Sequence, residues 1–279
     1  MLTGITLFRL VTAALLPVLV TVGFYQAEKK SRFGKVSNGW KQLIIGVSFG
    51  VVAILATEFG IPVDGAVLNV RNAAPLTAGL IFGWPSGLIA GLVGGIERWF
   101  SNAGDYTRLA CTIGTVVAGI FGAGVRKFMM DNKKASWFYG LAVGVTTEVL
   151  HMLLVFLTNA ADIQRAVTIV KICAIPMIAA NSISVMLSIL AITFLVKRSG
   201  QHEHDSSRKE NIAQTFQRWL LVCVVLAFGV TTFFTHAFQT KLAYAQVDYS
   251  LKASMEDVSR DIRDVSNRNL MNITREIAA

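Results

Sequence analysis

Arginine cannot shed its charge at physiological pH, and burying that charge in hydrocarbon costs free energy. Two arginines nevertheless bracket the apolar stretch "NVRNAAPLTAGLIFGWPSGLIAGLVGGIERWF", Asn69 to Phe100. Arg71 lies 13 residues before Trp84 and Arg98 lies 13 after Pro85. At ~1.5 Å rise per helical residue, both stand roughly 20 Å from a turn at Trp84-Pro85 and level with each other. Arg98 falls on the same face as Gly87, Gly91 and Gly94, and Arg71 shares an i+4 row with Pro75, Gly79 and Gly83. Both side chains are therefore expected to point into a packed interior. Two guanidinium groups at one depth repel unless something anionic lies between them, and their planar forks suit a carboxylate. Three solutions are open: a bound small anion, neutralisation by Glu97, or snorkelling to the outer interface. Ionisable residues inside a membrane are functional by default, which favours the anion. The next segment, "TRLACTIGT", brings Cys111, Thr112 and Thr115 to a similar depth as thiol and hydroxyl contacts.

Other polar groups in apolar surroundings invite weaker readings. Glu148 and His151, in "TTEVLHM", share a helix face. Glu-x-x-His can serve a carboxylate metal site only with further ligands from facing helices; no second copy exists, so no metal is expected. A gating or proton-linked pair, or a structural hydrogen bond, remains. Asn181, five residues after Pro176, is suited to satisfying carbonyls freed by a proline kink, with ligand contact the lesser reading. Cys111, Cys173 and Cys223 lie in apolar runs without metal-ligand spacing, so neither zinc nor a disulfide framework is implied. No Walker A loop, GxSxG, HExxH or kinase signature is present. No catalytic residue and no cofactor are expected in this chain.

These groups need elements to position them. The chain has 279 residues, 53% hydrophobic and 15% charged, with a mean hydropathy of +0.55. Soluble domains carry about 25% charged residues, so the composition points to a polytopic, all-α membrane bundle. Eight spans are predicted, at 5–26, 42–59, 66–84, 85–100, 107–126, 137–159, 166–196 and 218–239; several reach the ~20 residues a bilayer requires, the pair 66–84 and 85–100 is short, and 166–196 is long. The net charge of +9 does not indicate nucleic acid, because the basic residues gather in short loops. Lys29, Lys30, Arg32, Lys35 and Lys41 follow span one; Arg126, Lys127, Lys133 and Lys134 follow span five; Lys197, Arg198, Arg208 and Lys209 follow span seven. All follow odd-numbered spans, so one orientation satisfies them, with both termini outside. The first run lacks a basic leader region and a cleavage site, and reads as a retained helix.

Gly79, Gly83, Gly87, Gly91 and Gly95 recur every four residues, and a turn at Trp84-Pro85-Ser86 would fold them into two closely packed antiparallel helices. Residues 200–217, with His202 and His204, read as a polar, solvated linker between a bundle and span eight. Beyond it, Val247, Leu251, Met255, Val258, Ile262 and Val265 form a helical stripe. It reads equally as a dimerising coiled coil or as the core face of a domain that continues. The chain is expected to be the N-terminal part of something larger, and a homodimer.

The opening stretch, with "TTEVLHMLLVFL" and "IPMIAANSISVML", resembles the five-transmembrane receptor domain of LytS-type sensors over roughly residues 40–198. The resemblance implies a signal-transduction receptor of the bacterial cytoplasmic (inner or plasma) membrane. In such proteins the receptor is joined to a histidine kinase, diguanylate cyclase or phosphatase output, and some members bind pyruvate. It implies that Arg71 and Arg98 are the ligand-binding cations, and that Cys111 occupies a ligand-contacting position. The chain departs from the family in lacking the output domain and in carrying span eight and an outward helix, 240–279. Residues 1–39 are then an N-terminal transmembrane helix with its basic loop, and 40–199 the receptor domain. The expected function is sensing of a small carboxylate. The alternatives are the solute-binding component of a transporter, since the glycine-rich hairpin also resembles such components of vitamin transporters, and a structural membrane anchor.

Overall fold

A computed structural model of the protein describes residues 4–30, 32–101, 104–130, 137–198 and 212–278. Lys133, Lys134, Arg208, Lys209, His202 and His204 fall outside them, as do the side chains of Cys223 and of most of span eight. The chain divides into two compact units, Met1–Val225 and Leu226–Ala279.

The first unit is a helical bundle. Its long members are α1 (Gly4–Lys30), α2 (Asn38–Glu58), α5 (Arg108–Gly124), α6 (Trp137–Thr158) and α7 (Ile163–Arg198). Among the described residues, five helical segments are long and apolar enough to cross a membrane, α5 being extended at both ends to Asp105–Phe128. Pro176 lies inside α7, which continues through it for 36 residues. The remaining apolar stretch is folded differently from the prediction. Instead of a span at 66–84, Ile61–Val63 (β1) and Ala66–Leu68 (β2) form an antiparallel hairpin. A buried non-helical link, 69–72, then leads into α3 (Ala73–Phe82), which is 10 residues long. That is half of what a crossing needs. After a turn at Gly83, whose φ is +106°, α4 runs from Trp84 to Phe100.

Non-helical backbone at membrane depth survives only where its polar groups are met inside the protein. Here asparagines meet them. Asn69 Oδ1 accepts from the Arg71 amide at 3.2 Å, and Asn69 Nδ2 donates to the Val67 carbonyl at 3.3 Å. Asn181 of α7 accepts from the Ala73 amide at 2.8 Å and donates to the Asn69 carbonyl at 3.2 Å. Asn181 thus caps the start of α3 while also bonding the Met177 carbonyl within its own helix at 3.0 Å.

The period-four glycines do bring backbones together, but the partner is chiefly α5. A Cβ on Gly79 would lie 2.7 Å from the Ala123 amide nitrogen, one on Gly87 2.5 Å from the Gly119 carbonyl oxygen, and one on Gly91 2.9 Å from Val116 Cα. The glycines of α5 answer them, since a Cβ on Gly122 would sit 2.5 Å from the Leu76 carbonyl oxygen. At the hairpin tip, Asp64 and Gly65 have φ of 43° and 80°, as a two-residue type I′ turn requires. The tip is fastened by Arg165, whose Nη2 donates to the Asp64 carbonyl at 3.1 Å and whose guanidinium stacks over Tyr106.

The second unit belongs to α8 (Ile212–Ala278), whose residues 251–275 are exposed throughout. The apolar stripe from Val247 to Val265 is uncovered along this helix.

Candidate ligand site

Arg71 and Arg98 are both fully buried. Arg71 is not on a helix but in the link before α3, where the turn aims its side chain across the bundle. Its Nε donates to Thr115 Oγ1 of α5 at 2.7 Å, Nη1 to Thr57 Oγ1 of α2 at 3.4 Å, and Nη2 to the Cys111 carbonyl at 3.4 Å. Arg98, in the last turn of α4, donates Nη2 to the Gly104 carbonyl at 2.5 Å. Its Nε and Nη1 have no hydrogen-bond partner. Among the described residues neither guanidinium has a carboxylate within 4.0 Å. Glu97 is beside Arg98 in the chain, yet its carboxylate bonds the Ser101 side chain and its Oε2 is left without a partner.

Around the two cations lies a polar shell from four elements. Thr115 Oγ1, besides accepting from Arg71, stands 2.8 Å from the Cys111 carbonyl and 3.2 Å from Asn72 Oδ1. Its single proton goes to one or the other. Asn72 Nδ2 reaches Glu148 Oε1 at 2.9 Å and His151 Nδ1 at 3.1 Å, and His151 Nδ1 stands 3.4 Å from Glu148 Oε2. Glu148, an acid of this network, therefore reaches Arg71 only through Asn72 and Thr115. The Cys111 side chain is buried and faces both Arg98 and His151. Thr112 Oγ1 is buried without a partner on the side of α5 that meets Gly95.

The structure thus brings Arg71, Arg98, Cys111 and Thr115 together, with Glu148 and His151 adjoining them through Asn72. Asn181 stands apart in role, holding the start of α3. Thr57 and Asn72 were not singled out from the sequence. Asn72 and Asn69 flank Arg71 within "NVRN", but a continuous helix turns them to other faces. Thr57 gives no local signal, being one hydroxyl at the end of an apolar helix.

Two buried guanidiniums without a carboxylate in contact among the described residues make this region electropositive. A carboxylate 4 Å from a guanidinium gains ~4 kcal/mol in direct attraction at an effective dielectric of 20, before desolvation, and here two guanidiniums contribute. The free N–H groups of Arg98 supply unused donors.

A family model described as the 5TMR of 5TMR-LYT matches residues 31–194. The chain is 29% identical over 180 residues to the sensor histidine kinase YpdA of Escherichia coli K12, covering 64% of this chain and 31% of that protein. It is 28% identical over 196 residues to the sensor protein LytS of Staphylococcus saprophyticus, covering 63% and 32%. Against the sensor histidine kinase BtsS of E. coli K12 it is 29% identical over 144 residues, covering 50% and 25%. The matched part is thus about a third or less of each of these relatives' length. No solved structure matches.

Proposed function

Because the chain belongs to the 5TMR-LYT family of five-transmembrane receptors and is a multi-pass protein of the inner membrane, we propose that its bundle senses a small carboxylate, pyruvate first among candidates. One observation supports this reading: among the described residues, two buried guanidiniums have no carboxylate in contact, and Nε and Nη1 of one of them have no hydrogen-bond partner. Pyruvate is small, and its keto oxygen can accept from Cys111 or Thr112. Bound between the arginines, it favours one packing of α3 and α4 and shifts the population of bundle states, which an attached output domain reads. Calorimetry on the purified chain in detergent tests it. Saturable pyruvate binding is expected, with none for the uncharged amide of pyruvate. A folded protein that binds no small carboxylate is an anchor. Counter-flow of pyruvate in liposomes would make it a transport component.

The topology and assembly follow as further parts of the proposal. The hairpin tip, Tyr106, Asp162 and Arg165 gather at one end of the bundle, whereas Arg126 meets the carbonyl end of α3. The basic loops favour a cytoplasmic position for the Arg126 end. Cysteines introduced at Asp64 and Asp162 should react with an impermeant reagent from outside, and those at Lys35 and Lys127 should not; the reverse pattern would invert the topology. The eighth span, 218–239, would return the chain to the outside, with 200–217 as the cytoplasmic linker. The exposed stripe on α8 then serves as a homodimer seam. Cysteines at Leu251 or Val258 should crosslink between protomers more readily than one at Asp257, and equal crosslinking at all three would leave the stripe as one face of a continuing domain.

A further inference from the structure

Holding a carboxylate needs the two arginines. It does not need a buried cysteine, a histidine and a glutamate set in series beside them. Cys111 is a free thiol, 4% exposed, one helical turn before Thr115. Its side chain meets those of His151 and Arg98. The imidazole approaches α5 closely because position 114 is glycine, where a Cβ would lie 2.9 Å from His151 Cδ2. His151 is held by one ring nitrogen only: Nδ1 faces Glu148 Oε2 at 3.4 Å and Asn72 Nδ2 at 3.1 Å. Its Nε2 is buried and has no hydrogen-bond partner. A thiol, a base beside it, and an acid orienting that base through its far nitrogen form the arrangement that activates a nucleophile. The unpartnered Nε and Nη1 of Arg98 add donors for a developing oxyanion.

We propose that Cys111 is a nucleophilic thiol that adds reversibly to the keto carbon of a 2-oxo acid whose carboxylate is held by Arg71 and Arg98. The inference rests on the carboxylate reading above and extends it to the ligand's second functional group. In the addition, the sulfur–carbon bond forms as the π bond of the ketone breaks. The thiol proton passes to His151 Nε2 and from there to the new oxygen, giving a thiohemiketal with an uncharged hydroxyl and its carboxylate still ionised. Nothing is oxidised or reduced, no co-reactant is required, and the reverse path releases the ligand intact. Glu148 is a positioning residue that accepts from Nδ1–H and so leaves Nε2 as the base, and Asn72 positions Glu148 by donating Nδ2 to its Oε1. The receptor then separates a 2-oxo acid from the matching 2-hydroxy acid, which offers the same carboxylate but no electrophilic carbon.

The test uses the purified chain in detergent with pyruvate labelled with carbon-13 at the keto carbon. In the wild type, the bound resonance should move from the carbonyl region to that of a tetrahedral carbon. In Cys111→Ser, or in Cys111→Ala should the serine variant fold poorly, that signal should vanish while weaker calorimetric binding persists. The preference for pyruvate over lactate should be lost with it. Saturable binding with the keto resonance still in the carbonyl region overturns the covalent step alone. A tetrahedral signal that persists in both cysteine variants is bound hydrate, and overturns it too. Absence of any saturable binding by the folded wild type removes the carboxylate reading and the covalent step together.

Discussion

Arg98→Met is expected to keep or raise the stability of the ligand-free protein and to abolish carboxylate binding. The Arg98 side chain is fully buried, has no carboxylate within 4.0 Å among the described residues, and leaves Nε and Nη1 without partners. Replacing buried charged groups by apolar side chains of similar volume is often neutral or stabilising by about 1–4 kcal/mol. The one bond forfeited, from the charged Nη2 to the Gly104 carbonyl, offsets roughly 1.5–3 kcal/mol of that, so the melting temperature should hold or rise. Binding moves the other way. A carboxylate left half-paired in a buried site loses about 3–5 kcal/mol, or at least about a hundredfold in affinity. Arg71→Met should behave differently, losing binding and stability together. Its guanidinium serves Thr115, Thr57 and the Cys111 carbonyl, and the three bonds that fasten the link 69–72 to α2 and α5 would be lost together. Loss of binding in the double variant should be smaller than the sum of the single losses, because the residues share one ligand. Melting curves and calorimetry on the four proteins decide it: an Arg98→Met protein that melts lower and binds pyruvate as well as wild type makes that arginine structural.

Gly119→Ala should unfold the bundle at a markedly lower temperature, whereas Gly124→Ala, five residues along the same chain, should not. A Cβ on Gly119 would overlap the Gly87 carbonyl oxygen and lie 2.7 Å from its carbon, while one on Gly124 meets nothing within 4 Å. Backbone cannot step aside as a flexible side chain can, so overpacking at residue 119 costs about 1–3 kcal/mol or more. At residue 124 alanine favours helix over glycine by about 0.5–1 kcal/mol, so the melting temperature should hold or rise. Gly91→Leu, beside Val116, should resemble Gly119→Ala. Equal melting temperatures for the 119 and 124 variants would mean that α4 and α5 do not meet backbone to backbone.

The long helices were legible because uninterrupted apolar runs admit few other structures in lipid. The glycine row announced close packing, though not that α5 would supply the opposing surface, since Gly114, Gly119 and Gly122 have no single period. The gathering of Arg71, Arg98, Cys111 and Thr115 could be anticipated from depth alone. What depth could not give was the break at 69–72. The buried strand Ala66–Leu68 is as apolar as a helix, and periodicity cannot separate short apolar runs of the two kinds. Asp64-Gly65 between Val63 and Ala66 was the available turn signal. Reading it would have moved Arg71 off a helix and reduced the third span to a half-length one. Asn72 and Thr57 escaped because their role exists only once that link has folded against α2 and α6.

The short α3 also has a mechanical character. Its amino end is tied to α7 by Asn181. Its carboxyl end is tied twice: Arg126 Nη1 donates to the carbonyls of Leu80 and Ile81, and Gln42 Nε2 donates to that of Phe82. Arg126 sits in a single wide turn, Val125–Met129, with π-type bonding. Sideways tilt of α3 toward α5 is blocked where Gly79 and Gly122 already bring the two backbones together. A half-length helix so tied at both ends has the build of a strut, with the link that carries Arg71 at one end and, at the other, Arg126 in the wide turn that follows α5.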